Sequence, residues 1–198
     1  MRLPSVILAA ALVVAAGASE VARAADWIVD QAASRVIFLY TFNGDEREGG
    51  FAAFEGDGSF DADEPEAAAL TLSIETSSIV LGNMLEEAFA TSVEGFDSRN
   101  HPLARFELQE VEPLGGDRFR VRGVAEVKGK RQRLVSEGTL RIGADEARAE
   151  GRLRLDRLRF GVGVGPIASL LDLGRWVTVE YELVARPAPA GGGSTGSQ

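Results

Sequence analysis

One imidazole limits the acid–base chemistry open to this chain. His101 is the only histidine, and it sits in Phe96-Asp97-Ser98-Arg99-Asn100-His101-Pro102. A general base needs a nucleophile within hydrogen-bond reach and a third group that orients it. Asp97 and Ser98 are near only in sequence, and a His-Pro corner joining a helix to a strand accounts for the segment without catalysis. No catalytic residue is assigned. There is no cysteine, which removes thiolate nucleophiles, disulfides, thiolate zinc sites and iron–sulfur clusters. With a single imidazole, a multi-histidine metal site cannot form within one chain, and no metal ligand set is expected. Gly161-Val162-Gly163-Val164-Gly165 lacks the Gly-Lys-Ser/Thr ending of a phosphate-binding loop. Its alternating glycines instead predict a strand where backbone comes close to a neighbour or a ligand. The carboxylates are scattered over turns and polar faces and read as surface.

The aromatic residues say more. Phe38, Tyr40, Phe42, Phe51, Phe54 and Phe60 fall in what reads as the first hairpin, and Phe89 and Phe96 in a helical segment and its exit. A closed barrel of about eight strands either fills its interior or holds one small apolar ligand. Pattern alone leaves both open, a solid core or a ligand cavity.

The elements that would position these side chains are strands. Val36, Phe38, Tyr40 and Phe42 share one face of a period-two run, as do Leu70, Leu72 and Ile74. Phe106 and Leu108 alternate with polar neighbours, as do Phe119, Val121, Gly123, Ala125 and Val127, Leu153 and Leu155, and Val177, Val179, Tyr181 and Leu183. Turn residues separate the runs at Asn43-Gly44-Asp45, Asp61 to Pro65, Pro113 to Asp117, Lys128-Gly129-Lys130 and Gly143-Ala144-Asp145. Many short alternating strands joined by tight turns predict an antiparallel barrel or sandwich. Leu85, Ala88 and Phe89 are spaced for a short helix over one end, and Ile167 to Leu173 is a second helical candidate.

Charge bounds the partners. The 198 residues carry 21 Lys and Arg against 30 Asp and Glu, a formal net charge of −9, which argues against nucleic acid. The charge is segregated: residues 45–97 hold 14 acidic residues and one arginine, whereas residues 117–159 hold 13 basic and 7 acidic residues. Arg118, Arg120 and Arg122 should project from one strand face, and Arg152 and Arg154 from another. These faces are either solvated and paired across strands or a cationic patch that meets an anionic group or partner.

The ends read as segments outside the fold. Met1 to Ala24 has a positive start at Arg2, an apolar run from Val6 to Ala18 and Ala22-Arg23-Ala24 before a cut, the pattern of a cleaved secretory signal peptide. The run is too short to span a bilayer, which needs about 20 residues. Export to the bacterial periplasm is therefore expected. The tail 187–198, PAPAGGGSTGSQ, has nothing to bury and is expected to be disordered. One domain, residues 25–186, lies between.

Several blocks in order resemble a known family. Trp27-Ile28-Val29-Asp30 followed by Ser34-Arg35-Val36-Ile37-Phe38 is similar to a W-x-x-D…S-x-V-x-F strand. Gly50-Phe51-Ala52-Ala53-Phe54-Glu55-Gly56 with Phe60-Asp61 is similar to a G-x-F-x-x-F-x-G…F-D hairpin. Ile74 to Ile79, Phe89 to Asp97 with His101-Pro102 and Phe106, the segment Gly123 to Leu134, and Asp156 to Gly163 with Trp176 to Val179 continue the series. Together they resemble the YceI family, periplasmic polyisoprenoid-binding proteins with a lipocalin-like fold. Phe89 stands where the family carries His, and Gly95 where it carries the first bulky residue of an aromatic pair.

The resemblance implies an all-β fold, an extended antiparallel eight-stranded lipocalin-like β-barrel with one or two short helices. It also implies a non-catalytic carrier for an isoprenoid lipid, either a polyprenyl lipid or a quinone, with that lipid as ligand and no cofactor. On this reading Phe38, Tyr40, Phe42, Phe51, Phe54, Leu85, Phe89 and Phe160 line the lipid cavity, and Arg99 contacts the head group. The protein would be a monomer or homodimer in transient contact with a membrane or membrane protein. The rival expectation is a filled barrel that docks a partner through its basic strand face.

Overall fold

The computed structural model describes residues 25–60 and 67–189. The expected signal peptide 1–24, the turn Asp61 to Pro65 and the tail from residue 190 lie outside the described residues. The strands, in chain order, are β1 (Ala25–Val29), β2 (Arg35–Phe42), β3 (Asp45–Phe51), β4 (Phe54–Phe60), β5 (Ala69–Glu75) and β6 (Ile79–Val80). They are followed by β7 (Leu103–Gly115), β8 (Arg118–Val127), β9 (Lys130–Ile142), β10 (Ala147–Asp156) and β11 (Trp176–Pro187). Every pairing is antiparallel, and β11 returns to β1 with Val29 opposite Ala185 and Trp27 opposite Pro187. The sheet therefore closes through β1-β4-β5-β7-β8-β9-β10-β11, an eight-stranded barrel.

The remaining segments are not extra strands around the ring. β11 pairs with β1 through residues 185–187 and with β2 through residues 178–182, so β2 prolongs β1 along the same neighbour. In the same way β3 runs into β4 and β5 into β6. These three breaks lie side by side, and side chains replace the ladder bonds lost there. Ser34 Oγ accepts from Val184 N–H at 2.9 Å, Gln31 Nε2 donates to the Ala52 carbonyl at 2.7 Å, and Ser78 Oγ accepts from Ala53 N–H at 3.0 Å. Thr76, fully buried, donates to the His101 carbonyl at 2.8 Å.

Local chemistry explains the turns. Asn43 and Gly44 both take positive φ, 53° and 83°, as do Lys128 and Gly129 at 51° and 70°, the pattern of tight two-residue hairpins. Helix α1 (Met84–Thr91) starts at Asn83, whose side chain accepts from the Leu85 and Glu86 N–H groups. The second helix, α2 (Arg157–Phe160), ends at Gly161 in the left-handed region, φ 73°. That overturns two expectations. Gly161, Gly163 and Gly165 have φ of 73°, 66° and 154°, so this stretch is a turn after α2 and not a strand. The second helical candidate shrinks to a single 3-10 turn, Ala168–Leu170. At the other boundary, Pro187 and Ala188, expected to open the tail, are still paired with β1, Ala188 N–H donating to Asp26 O at 2.7 Å.

The two ends of the barrel differ. One, the foot, carries both termini of the described chain and the short turns after β7 and β9. The other, the crown, carries α1, α2 and the long connections before β7 and β11.

Candidate functional site

Inward-facing residues of all eight staves surround one cavity of about 600 Å³ that runs along the barrel, and its wall is almost wholly apolar. The alternation seen in the sequence is what builds it. Leu70, Leu72 and Ile74, Phe106 and Leu108, Phe119 and Val121, Leu153 and Leu155, and Val177 to Leu183 on every second position all face it. The lumen stays open partly because rings lie flat along the wall. Tyr181 stands opposite Gly151 and reaches across it to Ser136 Oγ on β9, 3.1 Å away. Phe38 stands opposite Gly49, where a Cβ would lie 2.6 Å from the ring.

The structure brings seven of the eight expected lining residues to this wall: Phe38, Tyr40, Phe42, Phe51, Leu85, Phe89 and Phe160. Phe38 packs on Tyr40 and Phe51 at ring separations of 5.7 and 5.5 Å, and Phe51 on Phe96 at 5.8 Å. Phe54 is not on the wall. It lies at the break between β3 and β4, packed with Val29, Val36, Leu72 and Leu183 and 6% exposed. Arg99, expected at the head group, sits exposed in the loop before β7 and is not among the residues of the wall. Asp97, at φ 53°, turns the chain in that loop, and its carboxylate accepts from Asn100 Nδ2 at 3.0 Å. His101 is outside the cavity wall too.

Two arginines do reach the wall, Arg105, exposed on β7, and Arg157, which is the one fixed by a set of hydrogen bonds. Its Nε donates to the Gly174 carbonyl at 2.7 Å, Nη1 to Val162 and Gly163 at 2.8 and 2.7 Å, and Nη2 to Leu173 at 2.6 Å. Burial lowers its pKa from the ordinary arginine value. Two further groups hold the crown. Lys128, in the turn between β8 and β9, donates to the carbonyls of Val93, Gly95 and Gly161 at 2.5, 2.9 and 3.1 Å, and its burial lowers its pKa. The Glu94 carboxylate accepts from Ile167 and Ala168 N–H at 3.1 and 2.6 Å. Tyr40 Oη donates to Glu86 at 3.0 Å, and burial, with that carboxylate beside it, pushes the phenol up to about 12. Asp156, beneath α2, is held below the usual carboxylate range by the guanidinium of Arg175, 2.7 Å away.

The arrangement offers apolar contact and few polar groups free to act. Among the described residues no group of acidic or imidazole side chains is placed to hold a metal ion. The basic strand face is largely neutralised. Arg120 pairs with Glu112 and Glu137 at 3.1 and 2.6 Å, Arg122 with Glu110 and Glu112 at 2.8 and 3.0 Å, and Arg118 approaches Glu137 at 3.8 Å.

Comparison with known proteins agrees with the architecture. The family described as "YceI-like domain" matches residues 27–185. A curated relative from Azotobacter vinelandii, a UPF0312 protein, is 27% identical over 163 residues, covering 77% of this chain and 85% of that protein. BcnA of Burkholderia cenocepacia superposes with a TM-score of 0.74 at 25% identity, over 79% of this chain and 98% of BcnA. A polyisoprenoid-binding domain from Saccharophagus degradans, implicated in plant cell wall breakdown, superposes with a TM-score of 0.67 over 84% of this chain and all of that domain. At 14% identity, that likeness is one of fold.

Proposed function

The chain belongs to the YceI-like domain family, and from that premise we propose that it binds the chain of an isoprenoid lipid, a polyprenyl lipid or a quinone, inside its barrel without chemical conversion. The observation that carries this reading is the cavity itself: about 600 Å³, continuous along the barrel and apolar on every stave. Cavities of roughly 300–1,000 Å³ are the size that buries a small-molecule ligand. Burial is worth about 25 cal/mol per Å² of apolar surface, so a prenyl chain needs few polar contacts to bind. The Saccharophagus degradans domain, described as polyisoprenoid-binding, suggests the same ligand class. The residues proposed to meet the chain are Phe38, Tyr40, Phe42, Phe51, Leu85, Phe89 and Phe160. The proposed setting is the periplasm, reached through a cleaved signal peptide. The rival, docking through the basic strand face, is disfavoured by the ion pairs that Arg118, Arg120 and Arg122 make with their own sheet.

Native mass spectrometry of the protein from a periplasmic extract, with organic extraction of any bound lipid, tests this directly. A stoichiometric prenyl lipid or quinone is expected, and its mass gives the chain length. Phe38→Trp and Phe89→Trp place extra volume in the lumen and should abolish uptake of an added prenyl quinone while the far-ultraviolet spectrum stays that of a β-barrel. A wild-type protein that is ligand-free and takes up no prenyl lipid would sink the reading.

A further inference from the structure

Large apolar side chains gather, exposed, at the crown. Met84 and Leu85 at the start of α1 are each 80% exposed, Leu170 is 84% and Ile167 59%. Isolated exposed leucines are ordinary, but a contiguous patch marks a surface that something covers. These residues come from two segments that are tied together, since the Glu94 carboxylate just after α1 accepts the N–H groups of Ile167 and Ala168. Leu85 and Ile167 also line the cavity, so the patch borders its mouth.

The flank of the patch has the composition of a lipid interface. Trp176, 46% exposed, begins β11, with the guanidinium groups of Arg154 and Arg175 at 4.7 and 5.4 Å from its ring centroid. Arg159 and Arg175 share the single carboxylate of Asp156, and Arg154 has no ion pair among the described residues, so positive charge is in excess there. The carboxylates of α1 are turned to the protein's own donors: Glu86 to Tyr40, Glu87 to the N–H groups of Leu81 and Gly82. Asp172 remains exposed at this end, as do Asp45 and Glu46 in the β2–β3 hairpin beside it, so the positive charge is confined to the Trp176 flank. An aliphatic patch bordered by tryptophan and arginine matches a bilayer surface, where the apolar residues meet acyl chains and the guanidinium groups meet phosphates.

We propose that the crown is a membrane-docking face: Met84, Leu85, Ile167 and Leu170 enter the surface of a lipid bilayer, and the cavity opens into lipid rather than water. The proposal rests on the reading of the cavity as a prenyl-lipid site, and it gives that site its route of loading. A prenyl chain that entered through water would expose all its apolar surface on the way. Through a docked mouth it passes from one apolar medium to another.

The test uses the mature protein, vesicles of phosphatidylethanolamine and phosphatidylglycerol, and the double variant Met84→Glu/Leu170→Glu. Neither residue lines the cavity, so uptake of prenyl quinone supplied from detergent should be unchanged. Flotation with vesicles is expected for the wild type and should fall about tenfold or more in the variant, because two apolar anchors become charges. Extraction of quinone from vesicles should fall with it. Wild-type protein that loads from detergent but does not float overturns docking, as does a variant that floats equally well. Dimerisation that the same variant abolishes, with no flotation, would assign the face to a second copy instead. Wild-type protein that floats but loads no prenyl quinone from either source overturns the lipid-site reading and leaves the docking face standing.

Discussion

Arg157 and Arg99 are both arginines in connections at the crown, yet their surroundings give them opposite weight. Arg157 is partly buried on the cavity wall and donates to four backbone carbonyls, those of Val162, Gly163, Leu173 and Gly174. It thereby fixes the turn after α2 and the approach to β11 together. Hydrogen bonds from a charged donor contribute about 1.5–3 kcal/mol each and are not additive within one group. Arg157→Met should therefore cost about 3 kcal/mol or more, through the carbonyls left without partners, whereas exposed Arg99→Met should stay within about 0.5 kcal/mol. Urea titrations of both variants check this, and equal midpoints would show that the guanidinium does not hold the crown. Sequence could not rank the two, since a cation in a turn carries no periodicity that says which way it points. The same holds for Phe54, expected on the lumen wall with the other aromatics of the first hairpin, because nothing in its neighbours marks a strand break.

At the scale of elements, the legible strands were those whose inward positions are uniformly apolar. β8, β10 and β11 alternate cleanly and all face the lumen as their sequences imply. β9 escaped because its inward positions include Ser136 and Gly138, which read as polar or as a turn. Those small residues make room for an aromatic ring. Tyr181 lies across Gly151 and ends on Ser136, and a Cβ on Gly151 would overlap the Tyr181 hydroxyl and lie 2.7 Å from Cζ. Gly151→Ala should thus drive the ring off the wall into the lumen, at about 1–3 kcal/mol for the overpacking, and should weaken prenyl uptake along with stability. Tyr181→Phe keeps the ring in place and loses only the bond to Ser136, about 1 kcal/mol, with uptake retained. Binding titrations of the pair separate the effects, and unchanged uptake in Gly151→Ala would mean that the ring does not set the width of the lumen. The three strand breaks were likewise invisible, because Ser34, Gln31, Thr76 and Ser78 look like ordinary strand or turn residues until their side chains are seen standing in for ladder bonds.

For the whole molecule, closure and hollowness pull in opposite directions. Closing the sheet gives each of the eight staves two neighbours, with β9 and β10 parting beyond the Glu137–Arg152 pair, but the lumen holds about 600 Å³ where a filled barrel would have packed side chains. Contacts across that space are missing, and a bound chain would supply them. A ligand that binds only the folded state stabilises it by about 2.7 kcal/mol when present at a hundredfold excess over its Kd. In a domain of this size about 1 kcal/mol moves the melting temperature by roughly 2–4 °C. Saturation with a prenyl quinone should therefore raise the Tm by roughly 5–10 °C. Calorimetry of lipid-stripped protein with and without the quinone measures the shift, and Phe89→Trp, with part of the lumen already occupied, should show little or none. A stripped wild-type protein whose Tm ignores the quinone would mean that the barrel is complete without a guest and that its hollow wall has some other use.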